Sequence, residues 1–179
     1  MKFLETGLAG VLIVEPDVFR DERGFFLETF RADRYRQGGI AVSFVQDNQS
    51  RSLRGTLRGL HAQRKRPQGK LVRAVRGEIF DVAVDIRPGS PTFGRWVGAR
   101  LSEESFRQMF VPPGFAHGFC VLSEMAEVEY KCTDYYDRDD EIGARWDSAG
   151  IEWPIEKPLL SAKDAALPTL AELRRTLEG

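Results

Sequence analysis

Apolar and polar residues alternate along much of the chain, and glycine or proline interrupts the alternation at short intervals. In EIFDVAVDIRPGSP, residues 78–91, Phe80, Val82 and Val84 fall on one face of an extended strand. AEVEYKCTDYY, residues 126–136, alternates in the same way. Such runs, bounded by turn residues, predict β-strands. Further strands are predicted at residues 8–14, 25–30, 42–48, 56–63, 70–76, 93–101, 109–111 and 118–122.

So many short strands between tight turns predict a mainly β fold, a sandwich or barrel with few helices. RADRYRQGG predicts a short helix that ends at Gly38. TLAELRRTLE predicts a C-terminal helix in which Thr169 and Glu172 form a capping box. The leucines of this helix share one face, namely Leu170, Leu173 and Leu177.

The chain shows no internal repeat and no interdomain linker. We therefore expect a single domain over residues 1–179, with a barrel core at about residues 8–140 and residues 141–179 packed on it. The charged stretch 137–147 is predicted to be an exposed loop.

The charge of the chain narrows the classes of function that it can have. The formal net charge of -1 gives no whole-surface attraction to nucleic acid or to an acidic membrane. Residues 51–76, however, contain nine basic side chains and no acidic one. A nucleic-acid contact and a solvated face are two interpretations of this segment. A cradle for a diphosphate is the third and the favoured one, because arginine and lysine in a concave site suit phosphate oxygens.

The two cysteines indicate a reducing compartment. Cys120 and Cys132 form no CxxC pair and no disulfide framework, so they are predicted to be free, buried thiols. The longest apolar run, residues 8–14, is too short to span a bilayer. We expect a soluble, cytoplasmic protein with no membrane or nucleic-acid partner.

The chain has only two histidines. His61 lies in RGLHAQ close to Arg58 and Lys70, and a histidine among cations is suited to be a general base because it stays neutral. His117 lies in PPGFAHGF and is expected to contact an anionic or hydroxylated ligand. A metal-dependent cupin is the competing interpretation, but no H-x-H pair is present.

Strand parity adds two expectations. Tyr130 and Tyr136 are an even number of residues apart, so both are predicted to face one cavity, where a phenol would be a general acid. Arg58 and His61 are three residues apart and fall on opposite faces of an ideal strand. Either a bend or bulge realigns them, or Arg58 reaches the site along the rim or from a second subunit.

Several motifs occur together in order. They are FRDERGFFLETF, FVQDNQSRS, GTLRGLHAQ, QGKLVRAVRGEIFDVAVDIRPGSPTFG, VPPGFAHGF and YKCTDYY, followed by IEWP and LSAKDAALP. With these motifs the chain resembles the dTDP-4-dehydrorhamnose 3,5-epimerase family over about residues 8–170. Each motif alone is weak, and their order and spacing make the resemblance specific.

The resemblance implies a cupin-like jelly-roll barrel that uses no metal or cofactor and forms a homodimer. It implies epimerisation of dTDP-4-dehydro-6-deoxy-D-glucose at C3 and C5. By position, His61 matches the base, Asp164 the carboxylate that orients it, Tyr130 the proton donor and Lys70 the cation near the 4-keto oxygen. The expected substrate-binding positions are Arg23, Glu28, Gln46, Asp47, Asn48, Arg58, Asp81, His117, Tyr136, Glu141 and Lys163.

The residue types suit this chemistry. The C3 and C5 protons flank a ketone, so removing either gives an enolate that needs a base, an acid and a nearby cation. A mono-epimerase and a 3,4-ketoisomerase acting on the same kind of sugar remain alternatives, and they differ in where the acid lies. A metal cupin and a non-catalytic sugar-nucleotide binder are the alternatives from other classes.

Overall fold

The computed structural model describes residues 1–179, and its backbone is mainly extended. Thirteen strands form, because short alternating runs are separated by glycine and proline turns. They are β1 (Lys2–Glu5), β2 (Leu12–Glu15), β3 (Val18–Asp21), β4 (Gly24–Leu27), β5 (Gln46–Leu53), β6 (Leu57–Gln63), β7 (Lys70–Arg76), β8 (Glu78–Asp85), β9 (Trp96–Ser102), β10 (Gln108–Val111), β11 (Phe115–Val121), β12 (Met125–Cys132) and β13 (Glu141–Gly143).

Two antiparallel sheets pack face to face. One has six strands in the order β1-β2-β10-β7-β12-β5, and the other has five in the order β13-β6-β11-β8-β9. Strands β3 and β4 form a separate two-stranded hairpin. This confirms the predicted fold class, a mainly β barrel with few helices.

The alternation along β8 divides the core into two. Ile79 and Ala83 point between the sheets, into a cluster that also contains Val72 and Met109. Val82, Val84 and Ile86 point the other way, into a second cluster beneath the C-terminal segment. Because both faces of β8 are covered, its apolar residues other than the half-buried Phe80 are buried.

The helices are short and lie outside the sheets. Helix α1 (Ala32–Gln37) is followed by Gly38, as predicted. The predicted C-terminal helix is α3 (Leu170–Glu178), and its capping box between Thr169 and Glu172 is present. Its leucines pack on the second cluster, which attaches residues 141–179 to the barrel. No helix of the chain is long and apolar enough to cross a membrane.

Several element boundaries were wrong. Residues 8–11 form a turn instead of a strand, yet Leu8 and Val11 are buried, so the apolar run reflects burial without pairing. Strand β5 begins at Gln46, four residues later than predicted, and continues to Leu53. Strands β1 and β3 and the four-residue helix α2 (Ala162–Ala165) were not predicted.

The charged stretch 137–147 is not an exposed loop, contrary to prediction. It contains a turn of 3-10 helix, Arg138–Asp140, and then β13, which pairs with β6. Asp140 is buried and accepts the backbone N–H groups of Lys65 and Arg66. Its charge is therefore used to tie two loops together, which a charge count alone does not reveal.

A bulge between β6 and β11 answers the question about Arg58 and His61. His61 lies opposite His117, but Arg58 lies opposite Phe119, so β6 contains one extra residue between the two pairs. The extra residue allows both side chains to line the same cavity. Gly59 stands within the bulge with φ +122°, and a Cβ there would lie 2.6 Å from the Cα of Gly118.

Replacing Gly59 with alanine tests how much the fold depends on this bulge. Gly24→Ala is the matched control, because Gly24 has φ +127° but a Cβ at that position would meet nothing within 4 Å. We expect Gly59→Ala to lower the free energy of unfolding by about 1–3 kcal/mol more than Gly24→Ala does. Urea unfolding of both variants measures the difference. Equal losses of unfolding free energy would show that the close approach to Gly118 does not contribute to the cost of the substitution.

Candidate active site

A cavity of about 850 Å³ opens between the sheets at the end of β5, the edge strand of the six-stranded sheet. The inward side of β5, the start of β6 and residues 159–164 form its walls. A smaller lobe of about 270 Å³ adjoins it. His61, Lys70 and Tyr130 line both lobes, so the three residues stand where the lobes meet.

His61 forms a pair with a buried carboxylate. Its Nε2 lies 2.6 Å from Oδ1 of Asp164, and the His61 side chain remains 29% exposed to the cavity. Burial alone would raise the pKa of Asp164, but hydrogen bonds from His61 and Ser161 hold that pKa below its usual value. Asp164 therefore stays ionised and accepts the Nε2 proton, which leaves Nδ1 of His61 free to accept another.

Asp164 reaches His61 because of helix α2, which the sequence pattern did not predict. The hydroxyl of Ser161 caps this helix by accepting the backbone N–H of Asp164 at 3.0 Å. The cap fixes the first turn and points the carboxylate at β6. The sequence order separates His61 and Asp164 by 103 residues, and the C-terminal segment closes that distance.

His117 forms a second pair of the same kind. Its Nε2 lies 2.8 Å from Oδ1 of Asp81, and both side chains are buried. The cross-strand register places His117 directly beside His61. Each histidine therefore has its own carboxylate. No group of three or more histidine, cysteine or acidic side chains lies together in a way that could hold a metal ion.

Lys70 enters the cavity from the opposite sheet, at the start of β7. Burial lowers the pKa of its ammonium group, while the charges of Asp81 and Glu141 act in the other direction. No carboxylate lies within 4 Å of its Nζ, unlike Lys163, which pairs with Glu141. The positive charge of Lys70 is thus available to an oxygen of a bound molecule.

Tyr130 points inward from β12, as predicted, and burial raises the pKa of its phenol. A phenol with a raised pKa stays protonated and can donate a proton or a hydrogen bond. Tyr136 does not lie on β12, contrary to the prediction from strand parity, because the strand ends at Cys132. Tyr136 nevertheless lines the smaller lobe from the following loop, where its hydroxyl donates to Glu141 at 2.6 Å.

Glu141 links two other predicted residues at the cavity mouth. It accepts from Tyr136 and forms an ion pair with Lys163. Burial would raise the pKa of Glu141, but these two partners hold it below the usual value. The same bond raises the pKa of Tyr136. The loop, β13 and α2 therefore meet through one carboxylate at the rim.

The predicted binding residues on β5 divide between its two faces. Gln46 and Asn48 point into the smaller lobe, where their side-chain amides hydrogen-bond to each other at 3.0 Å. Asp47 points outward and pairs with Lys131 at 3.0 Å. The structure thus brings Gln46 and Asn48 to the cavity but leaves Asp47 on the opposite side of the sheet.

Arg23 and Glu28 do not reach the cavity within this chain. Arg23 lies in the hairpin of β3 and β4, where it is exposed and pairs with Asp21 at 2.5 Å. Glu28, just beyond the hairpin, pairs with Arg34 at 3.1 Å. Neither residue lines either lobe, so their predicted contacts stay predictions.

Sequence reasoning missed part of the lining. Ser50, Ser52, Phe119 and Cys132 face the two lobes, and so do residues 159–161. Period-two counting from Gln46 and Asn48 would have found the two serines, because they continue the same face of β5. Both cysteines are free and buried, as predicted.

The cavity unites a histidine–carboxylate pair, an uncompensated lysine and a protonated tyrosine inside a cupin-type barrel. Two groups able to exchange protons and a fixed cation define an acid–base enzyme that acts beside a carbonyl group. Comparison with known proteins narrows this class.

The chain belongs to the dTDP-4-dehydrorhamnose 3,5-epimerase family, whose model matches residues 5–172. The dTDP-4-dehydrorhamnose 3,5-epimerase of Methanothermobacter thermautotrophicus is 52% identical over 176 residues, 96% of this chain and 95% of that protein. The predicted family and its isomerase activity, 3,5-epimerisation in dTDP-rhamnose biosynthesis, are confirmed.

Two solved structures extend the comparison. The 3,5-epimerase of Legionella pneumophila, in complex with dTDP-4-keto-L-rhamnose, has a TM-score of 0.92 and 53% identity, with 96% of each chain covered. A 3'-monoepimerase from Streptomyces bikiniensis, in complex with dTDP-quinovose, has a TM-score of 0.91 and 35% identity, covering 98% of this chain and 91% of that one. The fold is therefore shared by double and single epimerases.

The contrast between the two cavity lysines yields a prediction. We expect Lys70 to titrate below an exposed lysine because it is buried, and Lys163 to titrate above one because it pairs with Glu141. NMR titration of isotope-labelled lysine side chains measures both, with Lys70→Arg and Lys163→Arg assigning the signals. Indistinguishable titration of the two signals would contradict the cavity electrostatics described above.

Proposed function

We propose that this chain inverts C3 and C5 of dTDP-4-dehydro-6-deoxy-D-glucose by removing and returning the protons beside the C4 ketone. One observation carries the proposal: His61, Lys70 and Tyr130 line both lobes of one cavity, with Asp164 bonded to His61. These groups are the base, the cation, the acid and the orienting carboxylate that the reaction requires.

His61 removes the carbon-bound proton. Asp164 holds the imidazole in one orientation and stabilises the imidazolium that forms, so Nδ1 is the basic atom. Leu57, Phe119 and Leu160 line the same cavity as the pair, and these apolar side chains limit contact between water and the developing carbanion. Positioned acid–base groups of this kind contribute about 10²–10⁴-fold to the rate.

Lys70 stabilises the enolate, and Tyr130 returns the proton. Removing a proton from C3 or C5 moves negative charge to the C4 oxygen, and the ammonium group of Lys70 has no carboxylate partner to compete for it. A fixed donor at a developing oxyanion contributes about 3–4 kcal/mol. Tyr130 enters from the other sheet, so it can deliver a proton to the face opposite His61.

The remaining cavity residues hold the nucleotide sugar. Arg58, His117 and Lys163 suit its anionic and hydroxyl oxygens, while Gln46 and Asn48 offer amides in the smaller lobe. Asp81 acts through His117, whose imidazole it orients, and it is therefore a positioning residue. Asp47 faces away from this cavity and has no role in the proposal for a single chain.

We further propose that the chain works as a homodimer in which the β3–β4 hairpin serves the partner's cavity. The hairpin pairs with neither main sheet and exposes Phe19, Phe25 and Phe26 by 56–70%. Phe19 and Phe26 lie opposite each other and share one face of the hairpin. Exposed aromatic residues on one face favour a protein partner. Arg23 lies on this hairpin, so a second copy would add a cation that one chain does not bring to its own cavity.

We also propose the domain organisation and the cellular compartment of the protein. Residues 1–179 form one domain, because α3 buries Leu170 and Leu173 against the barrel and leaves no separate core. The protein works in the cytoplasm, where its two free thiols remain reduced.

Proton exchange tests the mechanism. The protein is incubated with dTDP-4-dehydro-6-deoxy-D-glucose in D2O, and NMR follows the incorporation of deuterium. We expect deuterium at both C3 and C5. We expect His61→Asn to slow exchange at both carbons by about 10²–10⁴-fold because the base is lost. Circular dichroism of the variant controls for folding.

Other outcomes identify the alternatives. Deuterium at one carbon alone would indicate a mono-epimerase, a possibility that the Streptomyces bikiniensis structure makes concrete. Transposition of the keto group to C3 would indicate a 3,4-ketoisomerase. Absence of exchange in the wild-type protein would refute proton abstraction from this substrate.

A hybrid dimer tests the exchange of the hairpin. Arg23→Ala and His61→Asn chains are each expected to be nearly inactive, but a hybrid of the two would contain one complete cavity if Arg23 acts across the dimer. We expect the hybrid to recover about half of the wild-type activity. Tandem affinity tags isolate it for assay. A hybrid as inactive as its parents would show that Arg23 does not serve the partner.

A further inference from the structure

The inward side of β5 is polar along its whole length. Gln46, Asn48, Ser50 and Ser52 alternate on this face, and the strand continues from the smaller lobe into the larger one. The residues of β12 that lie opposite this row become apolar toward the larger lobe. Ser50 and Ser52 lie opposite the core residues Val128 and Ala126. Two hydroxyls therefore interrupt an otherwise apolar part of the wall.

Ser50 is the unusual member of this row. Its Oγ is buried and makes no hydrogen bond to the protein, although the residue lines the larger lobe. A buried hydroxyl without a partner is unfavourable, and most such groups in folded proteins are satisfied. The fold does not use this hydroxyl, so a molecule in the cavity is the partner that its position favours.

Ser52 has a partner with a different consequence. Its buried Oγ accepts a hydrogen bond from Nε of Arg58 at 3.0 Å. Arg58 has no carboxylate within ion-pair distance, so its two Nη groups remain available. Holding Nε fixes the plane of the guanidinium, and a fixed guanidinium suits two oxygens of one phosphate.

The charges around the larger lobe identify the class of ligand. Its lining contains four cations and one acid, Asp164, which is bonded to His61. Arg51 and Lys163 pair with Glu127 and Glu141, so Arg58 and Lys70 are the two cations without a carboxylate partner. A lobe with this balance takes an anion. Ser50 and Arg58 are the hydroxyl and the guanidinium that such an anion would meet.

We infer that Ser50 binds the diphosphate of the nucleotide sugar and that Ser52 is a positioning residue that aims Arg58 at the same group. This inference rests on the proposed function for its substrate but concerns two residues to which that function assigns no role. It also explains why two hydroxyls stand opposite valine and alanine in the barrel wall.

The test compares Ser50→Ala with wild-type protein, using dTDP as the probe. We expect the dissociation constant for dTDP and the KM for the sugar substrate each to rise about tenfold, with kcat changed little. The melting temperature should be unchanged or higher, because the variant removes an unsatisfied buried hydroxyl. Gln49→Ala is the control, since Gln49 lies on the outward face of β5 and bonds Glu127.

Ser52 is tested through Arg58. We expect Ser52→Ala to weaken dTDP binding about tenfold and Ser52→Thr, which keeps the hydroxyl, to restore most of it. In an Arg58→Ala background, Ser52→Ala should have no further effect on binding, because a positioning residue has nothing left to position. Additive losses would overturn this role for Ser52.

Three results would overturn the role of Ser50. Unchanged dTDP binding with a raised KM would place its contact on the sugar instead of the diphosphate. Unchanged dTDP binding and KM would show no ligand role at all. A lower melting temperature with unchanged binding would show that the hydroxyl is structural. Wild-type protein that neither binds dTDP nor exchanges substrate protons would instead refute the proposed function itself.

Discussion

The pairing of β6 with β11 is the constraint on which the site depends. Its bulge lets the backbone of Gly59 approach Gly118, sets His61 beside His117, and turns Arg58 into the same cavity. A one-residue change of register would send an inward side chain to the other face of the sheet. The chemistry of the cavity thus rests on a close contact between two glycines, and no charged residue takes part in that contact.

The barrel interior around this pairing is apolar, but it contains a polar cavity. Most of the buried charged side chains at this cavity have a hydrogen-bond or ion-pair partner. Asp164 bonds His61, Asp81 bonds His117, and Glu141 bonds both Tyr136 and Lys163. Unpaired buried charge is costly, so each pair avoids that cost and also fixes the orientation of its side chains. Lys70 is the exception. Its burial lowers its pKa, and its missing partner leaves room for a substrate oxygen.

Local sequence patterns predicted many of the strands and helices, because strand alternation and helix capping depend on residues close together in sequence. The alternation along β8 predicted that Phe80, Val82 and Val84 share one face, and all three contribute to the second cluster. The capping box of α3 also formed as predicted. Errors arose where tertiary contacts override local preference. Leu8 and Val11 are buried in a turn, and the charged residues before β13 are held by pairing with β6. Tyr136 reached the cavity even though the strand that was to carry it ended four residues earlier.

The sequence by itself determined the types of residue available for chemistry and, through the order of its motifs, the family. The tertiary structure alone decided which of them meet. Asp164 joins His61 only because the C-terminal segment returns to the barrel, and Gln46 and Asn48 separate from Asp47 because adjacent strand residues face opposite ways. Composition and spacing follow from the chain itself, whereas distance and burial depend on strand register and on contacts between residues far apart in sequence.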